Sequence, residues 1–181
     1  MAPQASEVVF YPERKKRMTT ADKATALGRA AYAPPDERLE AAGMLQRLLT
    51  DVIDLTLQSK QAHWNLRGPN FRSLHRQLDE LAERGREFSD RLAERCLALG
   101  VAADGRVQSI AADSDLVQFP EGRMDDSRVV EHISQRLRTV SEVGRSRLER
   151  LGQADPTSQN LVCDLLEQME KQLWMFESSR A

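Results

Sequence analysis

Aromatic residues are scarce in this chain of 181 residues, at 5 %, and its 9 glycines and 7 prolines gather at a handful of places. Sheet proteins draw on aromatic and β-branched residues for strands and on turn residues between them. With Leu, Ala, Glu, Arg and Gln dominating instead, the composition points to an all-α protein. Cysteine is nearly absent: Cys96 and Cys163 stand alone, without CxxC spacing or a secretory context, so no disulfide framework is expected and both read as small core residues. No stretch approaches the roughly 20 apolar residues of a membrane span, and the amino terminus lacks the apolar segment of a signal peptide, so a cytoplasmic protein with no membrane partner is expected. Charge of one sign is missing too. A net charge of −2 excludes a surface that grips nucleic acid or acidic membranes everywhere, and leaves only local patches for such a role.

What is present is helical periodicity. Residues 1–35 lack it, carry Arg14-Lys15-Lys16-Arg17 and end in Ala33-Pro34-Pro35, which reads as a basic flexible tail with at most a short helix over Ala21 to Ala31. From Asp36, a candidate N-cap, Leu39, Leu45, Leu48, Leu49, Val52, Ile53 and Leu57 recur at helical spacing until Arg67-Gly68-Pro69. Asn70 then caps a second segment whose Phe71, Leu74, Leu78, Leu81, Phe88 and Leu92 run to Gly100. A long connection with Gly105, Pro120 and Gly122 follows, with room for a short helix. A third helix is expected from about Asp126 to Leu151, and a fourth opens at Asp155-Pro156, an N-cap followed by proline at the first helical position. Four long helices with one long crossover between the second and third, over residues 36–179, is the ferritin-like four-helix arrangement.

The chemistry gathers in the first two segments: His63, His75, Asp79, Asp90 and Glu94 are all iron- or zinc-ligating types, and two of the three histidines are among them. On the second segment's wheel, counted from His75, Asp79 lies at about 40°, Asp90 at about 60° and Glu94 at about 100°, whereas the apolar set centres near roughly −90°. The polar stripe therefore points away from the core. Along the axis Asp79 and Asp90 are about 16 Å apart and His75 and Glu94 about 30 Å, so one copy cannot gather them on one metal ion. Two copies crossed antiparallel about a two-fold axis can, because facing residues then share a constant number sum, and His75 with Glu94 and Asp79 with Asp90 both give 169. The same sum sets Glu83 opposite Arg86 across the axis. Two imidazoles and three carboxylates, with no thiolate, suit iron better than a closed structural zinc site.

The run Lys60-Gln61-Ala62-His63-Trp64-Asn65-Leu66-Arg67-Gly68-Pro69-Asn70-Phe71, followed by Leu74-His75, Asp79-Glu80-Leu81 and Asp90-Arg91-Leu92-Ala93-Glu94-Arg95, closely resembles the signature of the Dps family, the DNA-binding proteins from starved cells. The likeness extends to Glu170-Lys171-Gln172-Leu173-Trp174-Met175. It implies a mini-ferritin: a hollow dodecamer whose ferroxidase centres, mono-iron or di-iron, oxidise ferrous iron, preferentially with hydrogen peroxide, and store ferric mineral. Carried over by position, it implies His63, His75 and Asp79 from one subunit and Asp90 and Glu94 from its partner. Trp64 would stand beside the centre, where two readings hold equally: an interceptor of oxidising equivalents, or a packed interface aromatic. The sequence departs from the family pattern at Arg76, at Arg106 and at Asn160, where an aspartate often lines the iron-entry pore; Asp164, one turn later, is the candidate substitute.

The tail sets Arg14, Lys15, Lys16, Arg17, Lys23 and Arg29 against Glu7, Glu13 and Asp22, and twelve copies would multiply that local excess. A basic arm of this kind grips phosphate backbones without sequence preference. This makes non-specific DNA binding, nucleoid association and DNA compaction the competing reading to iron storage. A solvated tail that aids assembly is the bland alternative.

Overall fold

The computed structural model describes residues 34–179, which hold six helices and one two-stranded pairing. The basic run Arg14 to Arg17 and the short helix expected over Ala21 to Ala31 lie outside the described residues. Four long helices build the bundle: α1 (Pro35–Asn65), α2 (Phe71–Ala98), α4 (Asp126–Arg145) and α6 (Pro156–Ser178), with short α3 (Val107–Asp113) in the crossover and α5 (Leu148–Ala154) before α6. Among the described residues no helix is long and apolar enough to cross a membrane.

Helix α1 starts two residues earlier than expected, with Pro34 rather than Asp36 at the cap position. Pro35 can be the first helical residue because its missing N–H would have had no partner there, while Asp36 and Glu37 in the first turn complement the helix dipole. Leu45, Leu48, Leu49, Val52 and Leu55 face the core, but Leu57 is 56 % exposed, since it sits about a third of a turn off that stripe. Phe71 likewise stays outside the core, 43 % exposed at the very start of α2, and Asn70 caps α2 without a side-chain hydrogen bond.

The antiparallel pair α1 and α2 packs closely enough to require a glycine: a Cβ on Gly85 would lie 2.1 Å from Thr56 Oγ1. Gly100, at φ 83°, ends α2 in a Schellman turn, with Gly100 N donating to Leu97 O at 2.9 Å and Val101 N to Cys96 O at 3.0 Å.

The crossover is tied down by buried polar groups. Arg136, 2 % exposed on α4, donates to the carbonyls of Val117 (3.0 Å) and Gln118 (3.1 Å) and to Gln58 Oε1 (2.8 Å). Asp51 on α1 accepts from Asp115 N at 2.8 Å. The crossover ends in a feature that periodicity does not reveal, a parallel pairing of β1 (Leu66–Arg67) with β2 (Met124–Asp125).

The third helix is broken where a single run to Leu151 was expected. Ser146 Oγ and a guanidinium nitrogen of Arg147 both take the carbonyl of Val143, while Arg147 N turns to Gly144 O at 3.1 Å, so the ladder is interrupted before α5 begins. Helix α6 opens as its sequence dictates. Asp155 caps it by accepting from Ser158 N at 3.1 Å, and Pro156 is its first residue. Of the two cysteines only Cys96 is buried; Cys163 is exposed on α6, on the face away from the core residues Leu161, Val162, Leu165 and Leu166.

Candidate metal centre

The turn between α1 and α2 decides what the two helix ends can do together. Gly68 adopts φ 131°, and a Cβ there would lie 2.7 Å from the Asp126 carboxyl carbon. Asp126, at the start of α4, accepts from Asn70 N (2.9 Å) and Ser127 N (2.8 Å), and Arg67 reaches Asp125 at 2.8 Å. These contacts, with the β1–β2 pairing, fix the entry of α2 against the exit of α1.

The consequence is a reciprocal arrangement of two imidazoles. His63 Nδ1 lies 2.8 Å from the carbonyl of His75, and His75 Nδ1 lies 3.1 Å from the carbonyl of His63. A carbonyl oxygen only accepts, so each Nδ1 is the donor, which leaves Nε2 as the ring nitrogen not engaged by these carbonyls. The rings stack with centroids 3.5 Å apart and planes 23° from parallel, and the Phe71 ring stacks on His75 at 4.9 Å. This is the outer-shell bonding that fixes tautomer and ring direction in metal-ligating histidines.

Asp79, one turn after His75, completes this end. Its Oδ1 lies 2.5 Å from Lys60 Nζ and 3.5 Å from His63 Nδ1. The Lys60 hydrogen bond, with smaller help from the His63 and His75 rings, holds the Asp79 carboxyl below the usual carboxylate range and therefore ionised. Trp64 is 68 % exposed, with Lys60 Nζ 5.8 Å from its ring centroid. Two imidazoles and a carboxylate are donor types suited to a divalent first-row ion.

The other two candidates are elsewhere on the chain. Asp90 and Glu94 are exposed, three to four turns farther along α2, about 16 Å and more from Asp79 along its axis. Asp90 borders an open groove between α1 and α2 lined by Leu49, Ile53, Leu57 and Ala93. Among the described residues, no group of three or more His, Cys, Asp or Glu side chains within one chain is placed to hold a metal ion. Glu83 and Arg86 are both exposed on α2. Asn160 is exposed, and Asp164 is engaged by Arg91 at 2.6 Å, an ion pair that offsets the charge expected of it at a pore.

Sequence reasoning missed Lys60 and Asp126. Lys60 is three residues ahead of His63, hence on the same face of α1, which is a usable signal. Nothing local marks Asp126 as a clamp, because the turn it holds, at Asn70, lies far away in sequence.

A model of the ferritin-like domain matches residues 42–179. The chain is 34 % identical over 157 residues to the DNA protection during starvation protein 2 of Deinococcus radiodurans, covering 87 % of this chain but only 64 % of that longer relative. It is 31 % identical over 149 residues to the DNA protection during starvation protein of Agrobacterium fabrum, covering 80 % and 90 % of the two chains. Among solved structures it is similar to Dps from Microbacterium arborescens in the high iron form, with TM-score 0.77, 27 % identity and 82 % and 97 % coverage.

Proposed function

The chain belongs to the Dps family of ferritin-like proteins, and from that premise we propose that it oxidises ferrous iron at centres shared between two subunits and stores the ferric product inside a dodecameric shell. The observation that carries this reading is the reciprocal bonding of His63 and His75, which turns each Nδ1 to a backbone carbonyl and sets His63 Nδ1 3.5 Å from the ionised Asp79. His63, His75 and Asp79 bind ferrous iron from one subunit; Asp90 and Glu94 of a second copy complete the donor set. Their exposure and the shared antiparallel register support that division.

In this reading ferrous iron is substrate. Carboxylates favour the ferric product over the ferrous ion, because harder oxygen donors suit the higher charge. Hydrogen peroxide is the proposed oxidant, and Trp64 stands where stray oxidising equivalents would first meet the protein. Removing ferrous iron and peroxide together spares nearby DNA, in keeping with the relatives' name, DNA protection during starvation protein. The test is anaerobic ferrous titration followed by peroxide, on the wild type, His75→Ala and Asp90→Ala. Both variants should bind and oxidise poorly, and equal rates in all three would end the proposal.

A second reading rests on the run Arg14-Lys15-Lys16-Arg17: non-specific binding and compaction of DNA in the nucleoid of the cytoplasm. Charge reversal of those four residues should abolish a salt-sensitive gel shift and leave iron oxidation intact. A wild type that gives no shift would remove this reading alone.

A further inference from the structure

Lys60 is outside the donor set yet sits within it. Its Nζ contacts Asp79 Oδ1 at 2.5 Å with only 20 % of its side chain exposed. The same oxygen is the one nearest His63 Nδ1. On its other side Lys60 lies 5.8 Å from the centre of the Trp64 ring, within reach of a cation–π contact.

We propose that Lys60 is a resident counter-ion of the centre: its ammonium pairs with the Asp79 carboxylate until a divalent metal ion claims that carboxylate, and Lys60 then withdraws across the face of Trp64. The inference rests on Asp79 being a ligand, as proposed above. The exchange moves no electrons and breaks no covalent bond. The ammonium keeps its three protons, and a carboxylate oxygen passes from an N–H contact to a metal contact. Withdrawal needs only rotation about the lysine's flexible four-carbon stem. The device also discriminates by charge, because a monovalent ion gains no more from one carboxylate than the ammonium already does, whereas a divalent ion gains about twice as much.

Zinc, which has no redox chemistry, is the probe, titrated calorimetrically into the full-length assembled protein. Lys60→Met keeps the apolar stem and removes the competitor, so it should tighten zinc binding by about 3- to 10-fold. Lys60→Arg, which keeps the charge, should give no gain. In a Trp174→Phe background, zinc saturation should shift Trp64 emission in the wild type and clearly less in Lys60→Met. Wild-type or weaker zinc affinity in Lys60→Met, or equal emission shifts in the two proteins, would overturn the counter-ion role. Asp79→Asn separates the two claims: it should weaken zinc binding, and if it binds as the wild type does, the ligand assignment fails together with the inference built on it.

Discussion

The two ends of α2 carry the same kinds of residue and are organised quite differently. At its start, His75 and Asp79 are held by a turn pinned to α4, by reciprocal imidazole–carbonyl bonds and by Lys60. Toward its far end, Asp90 and Glu94 stand exposed on the helix surface. The difference teaches that a single chain prepares only half of the proposed centre. Histidines need tautomer and ring direction set in advance, whereas carboxylates on a rigid helix need only to be presented to a partner.

The sharpest way to break that comparison is complementation. His75→Ala and Asp90→Ala should each lower ferrous oxidation by at least on the order of 100-fold, since losing a ligand costs no less than losing the outer-shell partner of one. Reassembled together from equal amounts, the two variants should regain about a quarter of wild-type activity, because mixed dimers carry one intact and one doubly damaged site. No recovery on mixing would mean that the two ends do not serve a common centre.

The next largest effect should fall between the two ends. Gly85→Ala drives a methyl group into Thr56 and should destabilise the protein by about 1–3 kcal/mol, read as a lower Tm. An unchanged Tm would mean that α1 and α2 separate without cost, and the prepared end would lose its rigid support. Gly68→Ala acts on the prepared end alone. At φ 131° against the Asp126 carboxylate it should cost about 1–3 kcal/mol locally and weaken zinc binding more than it lowers Tm. A variant with wild-type zinc affinity would show that the turn does not position the histidines.

The smallest effect should fall where α6 meets the far end of α2, at the ion pair of Asp155 with Arg95. Burial raises the affinity of Asp155 for a proton, but hydrogen bonds from Ser158 and Arg95 outweigh it and hold the carboxyl below 3.8, its ordinary value. A depressed native value contributes stability above the unfolded one, and that contribution is lost as pH falls through the native value. Asp155→Asn keeps a capping side chain but loses the charge that Arg95 faces, and should therefore cost about 1 kcal/mol near neutrality. The gap should close below about pH 4, while zinc affinity near neutrality should match the wild type. A gap that persists in acid would assign the cost to packing rather than to charge.

Much of this was legible in the sequence, and the misreadings have physical causes. The helical period placed Leu45, Leu48, Val52, Leu78 and Leu92 in the core, and Asp155-Pro156 marked the start of α6. Leu57 and Phe71 were misassigned because an apolar residue at a stripe's edge or at a helix end has the right spacing without the right neighbours. Residue type alone predicts a core role for Cys163, yet its position turns it to the surface. The break before α5 depends on which groups capture the carbonyl of Val143, a competition that leaves no mark in hydrophobic spacing.

By itself the sequence determined the helices, the apolar stripe of α2 and the set of nitrogen and oxygen donors on its other side, because these follow from periodicity and residue chemistry along one segment. Only the tertiary structure decided that His63 and His75 trade hydrogen bonds with one another's backbone, that Asp126 clamps the turn between them, and that Lys60 rests on Asp79. Those contacts join positions brought near by a turn and a crossover, and their geometry depends on distances that no local pattern encodes.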